Sequence, residues 1–266
     1  MTSIDIYNFN RFKEGYPSLL KSLENKAPED IYVKGNYNLL KELDNHRKGL
    51  AVIGSRNVDD SYLDLTKKFF QNYLIGNEWI VISGLAKGSD TFGHRLAIEF
   101  GLRTIAVLGF GVERIYPKQN EPLAKEIIEN EGALVSENPP DFYPIQKFEF
   151  AKWLVERDRI QAALSSGIFI VEAGEISGTW HAVSWAMKIN KPIFTYECTE
   201  ASEILSRYIN EEISDEWLKK YKIKSYNKEC SNIYFIDDYF DKTNFDKIMD
   251  NPILKKHDAQ TNLDSF

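Results

Sequence analysis

Three stretches of the chain set glycine, a hydroxyl residue and a cation side by side after an apolar run. Residues 50–56 read LAVIGSR, residues 79–90 read WIVISGLAKGSD, and residues 172–180 read EAGEISGTW. In the first, Gly54 allows close backbone approach, Ser55 offers a hydroxyl, and Arg56 offers a planar fork of donors suited to phosphate. In the second, Ser83, Gly84, Lys87 and Gly88 lie between an apolar strand and a helix start. Helix N-termini carry free N–H groups and a partial positive charge, so an anion is favoured there. Ser177, Gly178 and Thr179 open another helix and have the same capacity. Gly109, in the GFG turn after TIAVL, lets the backbone approach a ligand or a neighbouring loop. The chemistry expected of this set is the holding of an oxygen-rich anion such as a phosphate.

Other residue types point to accessory roles. The second loop lacks the GxxxxGK[ST] spacing of a Walker A loop and the GxGxxG of a nicotinamide site. Asp90 is expected to cap the helix by accepting a backbone N–H bond. His94 follows four residues later on the same helix face, as an acid/base partner of Asp90 or as a group that Asp90 orients. Glu172 and Glu175 are carboxylates able to act as acid or base or to contact ribose hydroxyls. Arg157-Asp158-Arg159 sits in the helix-like stretch KWLVERDRIQAALSS. Its two arginines point to different faces. Taken alone, the segment reads as a solvated helix face with ordinary ion pairs. No nucleophile with a base stands out, so no catalytic residue is assigned. Cys198 and Cys230 form neither a CxxC pair nor a metal-ligand cluster, and the reading calls for no metal and no cofactor.

These loops need a frame. Strand-like runs are LAVIG (50–54), WIVIS (79–83), TIAVLG (104–109), ALVSE (133–137), GIFIVEA (167–173) and KPIFTY (191–196). Helix-like stretches lie between them near 60–75, 88–100, 120–131, 150–165 and 178–190. Continuous apolar strands alternating with amphipathic helices predict an α/β fold: a doubly wound, mostly parallel sheet with helices on both faces. Ligands of such sheets bind at the carboxyl ends of the strands, at a topological switch point. The loops above all sit at such ends, and PPDFYP (139–144) is expected to be a rigid loop on the same edge. Residues 1–49 read as an N-terminal leader packed on the core, 50–198 as the core, and 199–266 as a C-terminal α+β appendage. That appendage carries one strand candidate, IYFI (233–236), and its final KKHDAQTNLDSF is expected to be disordered.

Bulk properties limit the partners. The 266 residues carry a formal charge of −7, which argues against broad, sequence-blind coating of duplex DNA. A local basic pocket remains compatible with a single strand. No apolar run approaches the roughly 18 residues needed to span a membrane, and no secretory signal is visible. With two thiols and no disulfide framework, a reduced cytoplasm is the expected location.

The order YPSLL, APEDIYVKGN, LAVIGSR, VISGLAKGSDTFGHRLAI, TIAVLGFGVERIYPKQN, LAKEIIENEGALVSENPP, RDRIQAALS, IFIVEAGEISGTWHAV resembles the DNA-processing protein A (DprA/Smf) family over residues 16–196. The resemblance implies an extended Rossmann fold of the SLOG superfamily. It also implies single-stranded DNA binding near the strand ends, homodimerisation, and delivery of a RecA-type recombinase in natural transformation and DNA recombination. By position it assigns phosphate contacts to Ser55, Arg56, Ser83, Gly84 and Lys87, to Arg157 and Arg159, and to Ser177, Gly178 and Thr179. Asp158 stands where the family has Asn, Lys87 where it usually has Arg, and Leu154-Val155 where it has Phe-Pro. Two other functions fit the same frame: a sensor of a nucleotide-derived ligand, and a nucleotide N-glycosidase. The second is disfavoured, because EAGEISGTWHAV lacks the Pro-Gly-Gly of such enzymes and has Ala182 near the position of their catalytic Glu.

Overall fold

A computed structural model describes residues 5–45, 48–227 and 232–250. Cys230 and the final stretch expected to be disordered lie outside the described residues. The leader contributes two strands, β1 (Ile6–Asn10) and β2 (Asp30–Gly35), a kinked 3-10 segment over Ser18–Lys26, and a short helix, α1 (Asn38–Asp44). β1 was not visible in the sequence, because IYNFN is too polar and too short to stand out. The expected core strands all form: β3 (Gly49–Ile53), β4 (Ile80–Ser83), β5 (Arg103–Val107), β6 (Ala133–Ser136), β7 (Gly167–Ile170) and β8 (Ile193–Tyr196). IYFI is β9 (Ile233–Ile236).

All nine lie in one sheet, in the order β1-β2-β6-β5-β4-β3-β7-β8-β9. β1 and β2, and β2 and β6, pair antiparallel, and every other pairing is parallel. From β3 the chain moves outward through β4, β5 and β6, then returns and moves the other way through β7, β8 and β9. The switch point therefore lies between β3 and β7, where Leu50 pairs with Gly167 and Ile53 with Ile170.

Helices cover both faces. Alternate side chains of a strand point to opposite sides, and the core divides accordingly. Leu50 and Val52 join α2 (Asp60–Phe69), its π-helical extension Phe70–Leu74, and α3 (Ser89–Glu99). The outer part of this face is closed by α4 (Glu121–Glu129) over Ala106 and Leu134. Ala51 and Ile53 face the other way. They pack with α6 (Asp158–Leu164), α7 (Thr179–Lys188), α8 (Glu200–Ile209) and α9 (Asp215–Tyr221). The single helix expected over 150–165 is two: α5 (Lys147–Glu156) ends and α6 begins about Arg157. No helix among the described residues is long and apolar enough to cross a membrane.

The last strand and helix are stitched to this same core. β9 pairs with β8 from Ile193↔Ile233 to Tyr196↔Ile236. Phe245 of α10 (Lys242–Asp250) is fully buried, with its ring centroid 5.7 Å from Phe69, 5.1 Å from Tyr73, 5.6 Å from Trp79 and 5.1 Å from Phe194. Truncating such a ring removes its burial and leaves a cavity. Phe245→Ala is therefore expected to lower unfolding stability by about 3–5 kcal/mol, read as a lower urea midpoint at unchanged slope. A loss below about 1 kcal/mol would mean that α10 does not share the core's cooperative unfolding.

Candidate functional site

Three loops meet at the carboxyl ends of β3, β4 and β7. The Ser55 N–H donates to Glu172 O at 2.8 Å, and Ser89 donates to Ser55 O through both its N–H and its hydroxyl, each at 3.1 Å. These bonds stitch the loop after β3 to the loop after β7 on one side and to the start of α3 on the other. Gly54 packs against Ser89 and Glu172 at this junction. Gly88, the residue before α3, has φ +70°, and a Cβ there would lie 2.4 Å from Ser55 O. Both its conformation and its contact require glycine.

A buried arginine braces the loop after β4. The Arg157 guanidinium lies against the Gly84 backbone so closely that a Cβ on Gly84 would fall 1.3 Å from Nη1. Nη1 donates to Gln161 Oε1 at 2.6 Å, Nη2 to Asp90 Oδ2 at 3.4 Å, and Nε to Leu154 O at 3.2 Å. Nε also lies 3.2 Å from Asp158 Oδ1. Asp90 Oδ2 in turn accepts the backbone N–H bonds of Gly84 at 3.1 Å and Ala86 at 3.2 Å. The helix-capping role expected of Asp90 is thus not the one it takes. Its carboxylate holds the preceding loop, whose N–H groups turn inward toward it.

The solvated face expected of Arg157-Asp158-Arg159 is also overturned. All three are buried, at 6, 9 and 7% exposure. The backbone keeps helical dihedrals through Arg157, and the segment is buried because its side chains pack on the loop after β4, on the leader and on Glu137. The two arginines do point apart, as their spacing predicts. Arg159 reaches the leader: Nε donates to Lys26 O at 2.8 Å, and Nη1 and Nη2 grip Glu137 at 2.7 and 2.5 Å. Burial pushes the Asp158 carboxyl up to about 7, against the opposing pull of Arg157 and Arg56 and with the help of Asp90.

Asp90 and His94 do not act on each other as an acid/base pair. His94 is fully buried, and its Nδ1 lies 2.7 Å from Thr104 Oγ1. The Thr104 hydroxyl donates to Val81 O at 2.9 Å, so Nδ1 carries the proton and donates to Thr104. Burial and the nearby Arg157 charge hold its pKa at about 3, which keeps the imidazole neutral. Glu172 accepts a backbone bond from Asp59, and burial raises its pKa.

Several other predicted residues are engaged within the protein. The Ser83 hydroxyl donates to Val52 O at 2.7 Å, and Gly109 packs against Trp153 O. Ser177 Oγ accepts the Thr179 N–H at 3.2 Å, while the space around Gly178 is open. The Ser55 hydroxyl, by contrast, makes no hydrogen bond to the described residues.

Beside these loops, among the described residues, three cations are open to a ligand. Arg56, Lys87 and Arg95 are exposed and make no ion pair among the described residues. Arg56 and Arg95 line a groove of about 640 Å³ with Gly88, Thr91 and Phe92 on its α3 side. Arg95 and Phe92 were not singled out from the sequence. A signal was available: Gly88, Thr91, Phe92 and Arg95 follow the i, i+3, i+4, i+7 spacing of one helix face. No cluster among the described residues has the ligands to hold a metal ion.

The Gly84–Arg157 contact predicts a specific failure. Gly84→Ala is expected to expel the guanidinium from between Asp90 and Asp158 and to cost about 3–5 kcal/mol, the range for breaking a buried ion pair. Chemical denaturation reads this directly, and near-normal stability would show that Arg157 does not brace the loop.

Comparisons with known proteins agree with this architecture. The family described as DNA recombination-mediator protein A matches residues 9–216. DNA processing protein DprA of Streptococcus pneumoniae is 35% identical over 187 residues, covering 70% of this chain and 61% of that protein. Protein Smf of Borreliella burgdorferi is 29% identical over 238 residues, covering 85% of this chain and 72% of that protein. The X-ray structure of Streptococcus pneumoniae DprA superposes with a TM-score of 0.66 at 28% identity, over 91% of this chain and 74% of that one. A Helicobacter pylori DNA processing protein A, described for its single-stranded DNA binding mode, shares the fold with a TM-score of 0.64 at 24% identity, over 82% of this chain and 95% of that one. The present chain spans about three fifths of the length of the Streptococcus pneumoniae protein. With most of its residues matched by the family and its fold shared with two members, the chain belongs to the DNA recombination-mediator protein A family.

Proposed function

We propose that this chain binds single-stranded DNA at the carboxyl edge of the sheet, through its phosphates and without reading its sequence. The observation that carries the reading is a groove at the α3 N-terminus lined by the unpaired Arg56 and Arg95, with the unpaired, exposed Lys87 next in the chain to Gly88 of that lining. Phosphates are drawn to the cations. Phe92 offers a ring against which a base can stack, a contact that tolerates any base. The overall charge of −7 argues against broad coating of a duplex and suits contact with one strand better. The titratable groups on the first turns of α3 are engaged: Asp90 in the loop, His94 on Thr104. The proposed role is therefore binding rather than turnover. Family membership further supports action as a homodimer that hands the strand to a RecA-type recombinase in the cytoplasm, during DNA recombination or natural transformation.

Fluorescence anisotropy of a labelled oligo-dT strand tests the binding. Three phosphate contacts predict a slope of log affinity against log salt of about −2, since each contributes about −0.7 on a single strand. Arg56→Ala is expected to weaken binding about tenfold at low salt and to flatten the slope by about 0.7. Absence of oligo-dT binding at low salt would overturn the reading and point to a small nucleotide ligand. Equal preference for a duplex would remove the single-strand assignment.

A further inference from the structure

The lysines of this acidic chain are not evenly spread. Four of them, Lys188, Lys220, Lys222 and Lys224, are exposed and make no ion pair among the described residues. The fold brings them together along one side of α7. His181, Ser184, Trp185 and Lys188 share that side at i, i+3, i+4 and i+7. The end of α9 and the residues after it lie across it. The Tyr221 ring centroid is 5.2 Å from that of His181, and the Ser184 hydroxyl donates to Lys222 O at 3.2 Å. The Tyr208 hydroxyl, from α8, donates to Lys224 O at 3.1 Å. Tyr221 and Ile223 are buried, so the alternate residues Lys220, Lys222 and Lys224 are left on the outside. Two of the lysines are laid over rings: Lys188 Nζ is 4.6 Å from the Trp185 centroid and Lys220 Nζ is 5.0 Å from that of Tyr221. Burial lowers the pKa of His181 and of Lys188. The charges that lower them further are lysines: Lys222, Lys220 and Lys188 on the histidine, Lys222 and Lys224 on Lys188. Like charges held together unpaired repel one another, and a bound anion relieves that repulsion.

We propose that this side of α7 is a second phosphate-binding surface, on which the single strand held in the groove continues. This rests on the reading of the groove as a strand site. The two surfaces lie on opposite faces of the sheet. Phe92 of the groove packs with Leu50 and Val52, whereas Val183 of α7, Tyr221 and Ile223 pack with Ala51 and Ile53. A mononucleotide cannot touch both, but a flexible polyanion can pass from one to the other over the edge of the sheet. The way across is the loop after β7. The Ser55 N–H ties that loop to the groove loop through Glu172 O, and it ends at Gly178, where the space is open. His181 follows three residues later, and Lys188 lies about 10 Å farther along the helix. A duplex is stiff over about 150 base pairs and resists such a turn. Lysines meet phosphates as point charges, so these contacts add affinity and salt dependence without reading bases.

Anisotropy of labelled oligo-dT of about 4 and about 30 nucleotides tests this with the full chain. The wild type is compared with Arg56→Ala and with a triple variant, Lys188→Gln, Lys220→Gln and Lys224→Gln. Lys222 is kept because its backbone is left-handed, at φ 56°. Melting temperature checks folding, and if the triple variant fails to fold, Lys220→Gln alone is expected to flatten the salt slope for the long strand by about 0.7. The short strand is expected to bind the triple variant as it binds the wild type. The long strand is expected to bind the triple variant about tenfold more weakly at low salt, with a slope of log affinity against log salt flatter by about 2, at about 0.7 for each lysine. Unchanged affinity and slope for the long strand overturn the proposal, as does an equal loss for the short strand, which cannot reach both surfaces. Poly-glutamate that binds the wild type more tightly than the long strand does, and loses that binding in the triple variant, would assign the surface to an acidic protein and also overturn it. If the long strand depends on the lysines while neither strand depends on Arg56, the phosphate-binding role of this surface stands and the groove reading falls. If neither strand binds at low salt, both fall.

Discussion

One buried guanidinium holds the strand-end loops in place. Arg157 lies flat on the backbone of Gly84 and faces two carboxylates. Neither contact is available to another residue type. A side chain on Gly84 would occupy the volume of the guanidinium, and a lysine at 157 lacks the planar fork that reaches Gln161, Asp90 and Leu154 at once. Through Asp90 this brace extends to the N–H groups of Gly84 and Ala86, and so fixes the loop that presents Lys87. Removing charge from such a buried set leaves a partner uncompensated, which is why its members depend on one another.

The sheet was legible in the sequence because parallel strands covered on both faces are apolar without interruption. LAVI, IVIS and GIFI can hardly be anything else, and Gly-Ser-Arg after the first marked the edge where a ligand would lie. The RDR segment was misread for an equally physical reason. A helical periodicity says which residues share a face, not whether that face meets water or protein, and the backbone stays helical through Arg157. Burial of charge is also invisible in one sequence, since the partners Glu137, Asp90 and Lys26 are distant along the chain. β1 escaped notice because it is an edge strand with no fully buried residue and little apolar signal to show.

Structural cations and ligand cations are separate sets in this molecule. Arg157 and Arg159, which the family resemblance offers as phosphate contacts, have their donors directed at protein oxygens. Arg56, Lys87 and Arg95 have no ion-pair partner among the described residues. A buried, fully bonded guanidinium shapes a site and exposed cations attract the ligand, and the two tasks place opposite demands on burial. That an acidic chain has two unpaired arginines lining a single groove is consistent with short-range attraction, because charges beyond a Debye length of about 8 Å are screened at physiological salt.

The spacing of the two arginines joins regions far apart in the chain. Arg159 takes Lys26 O and Glu137, so the leader and the end of β6 are held by the residue two positions from the one that braces the β4 loop. Asp158 lies between them, and no proton or charge can change on it without acting on Arg157. Leader and crevice are therefore anchored on the same three residues at the break between α5 and α6. Arg157 and Arg159 lie two residues apart on a helical backbone, so the contact to the β4 loop and the contact to the leader share one turn of chain. The leader's antiparallel strands sit at the far edge of the sheet from the switch point, and Lys26, between them in the chain, is where the leader meets this segment.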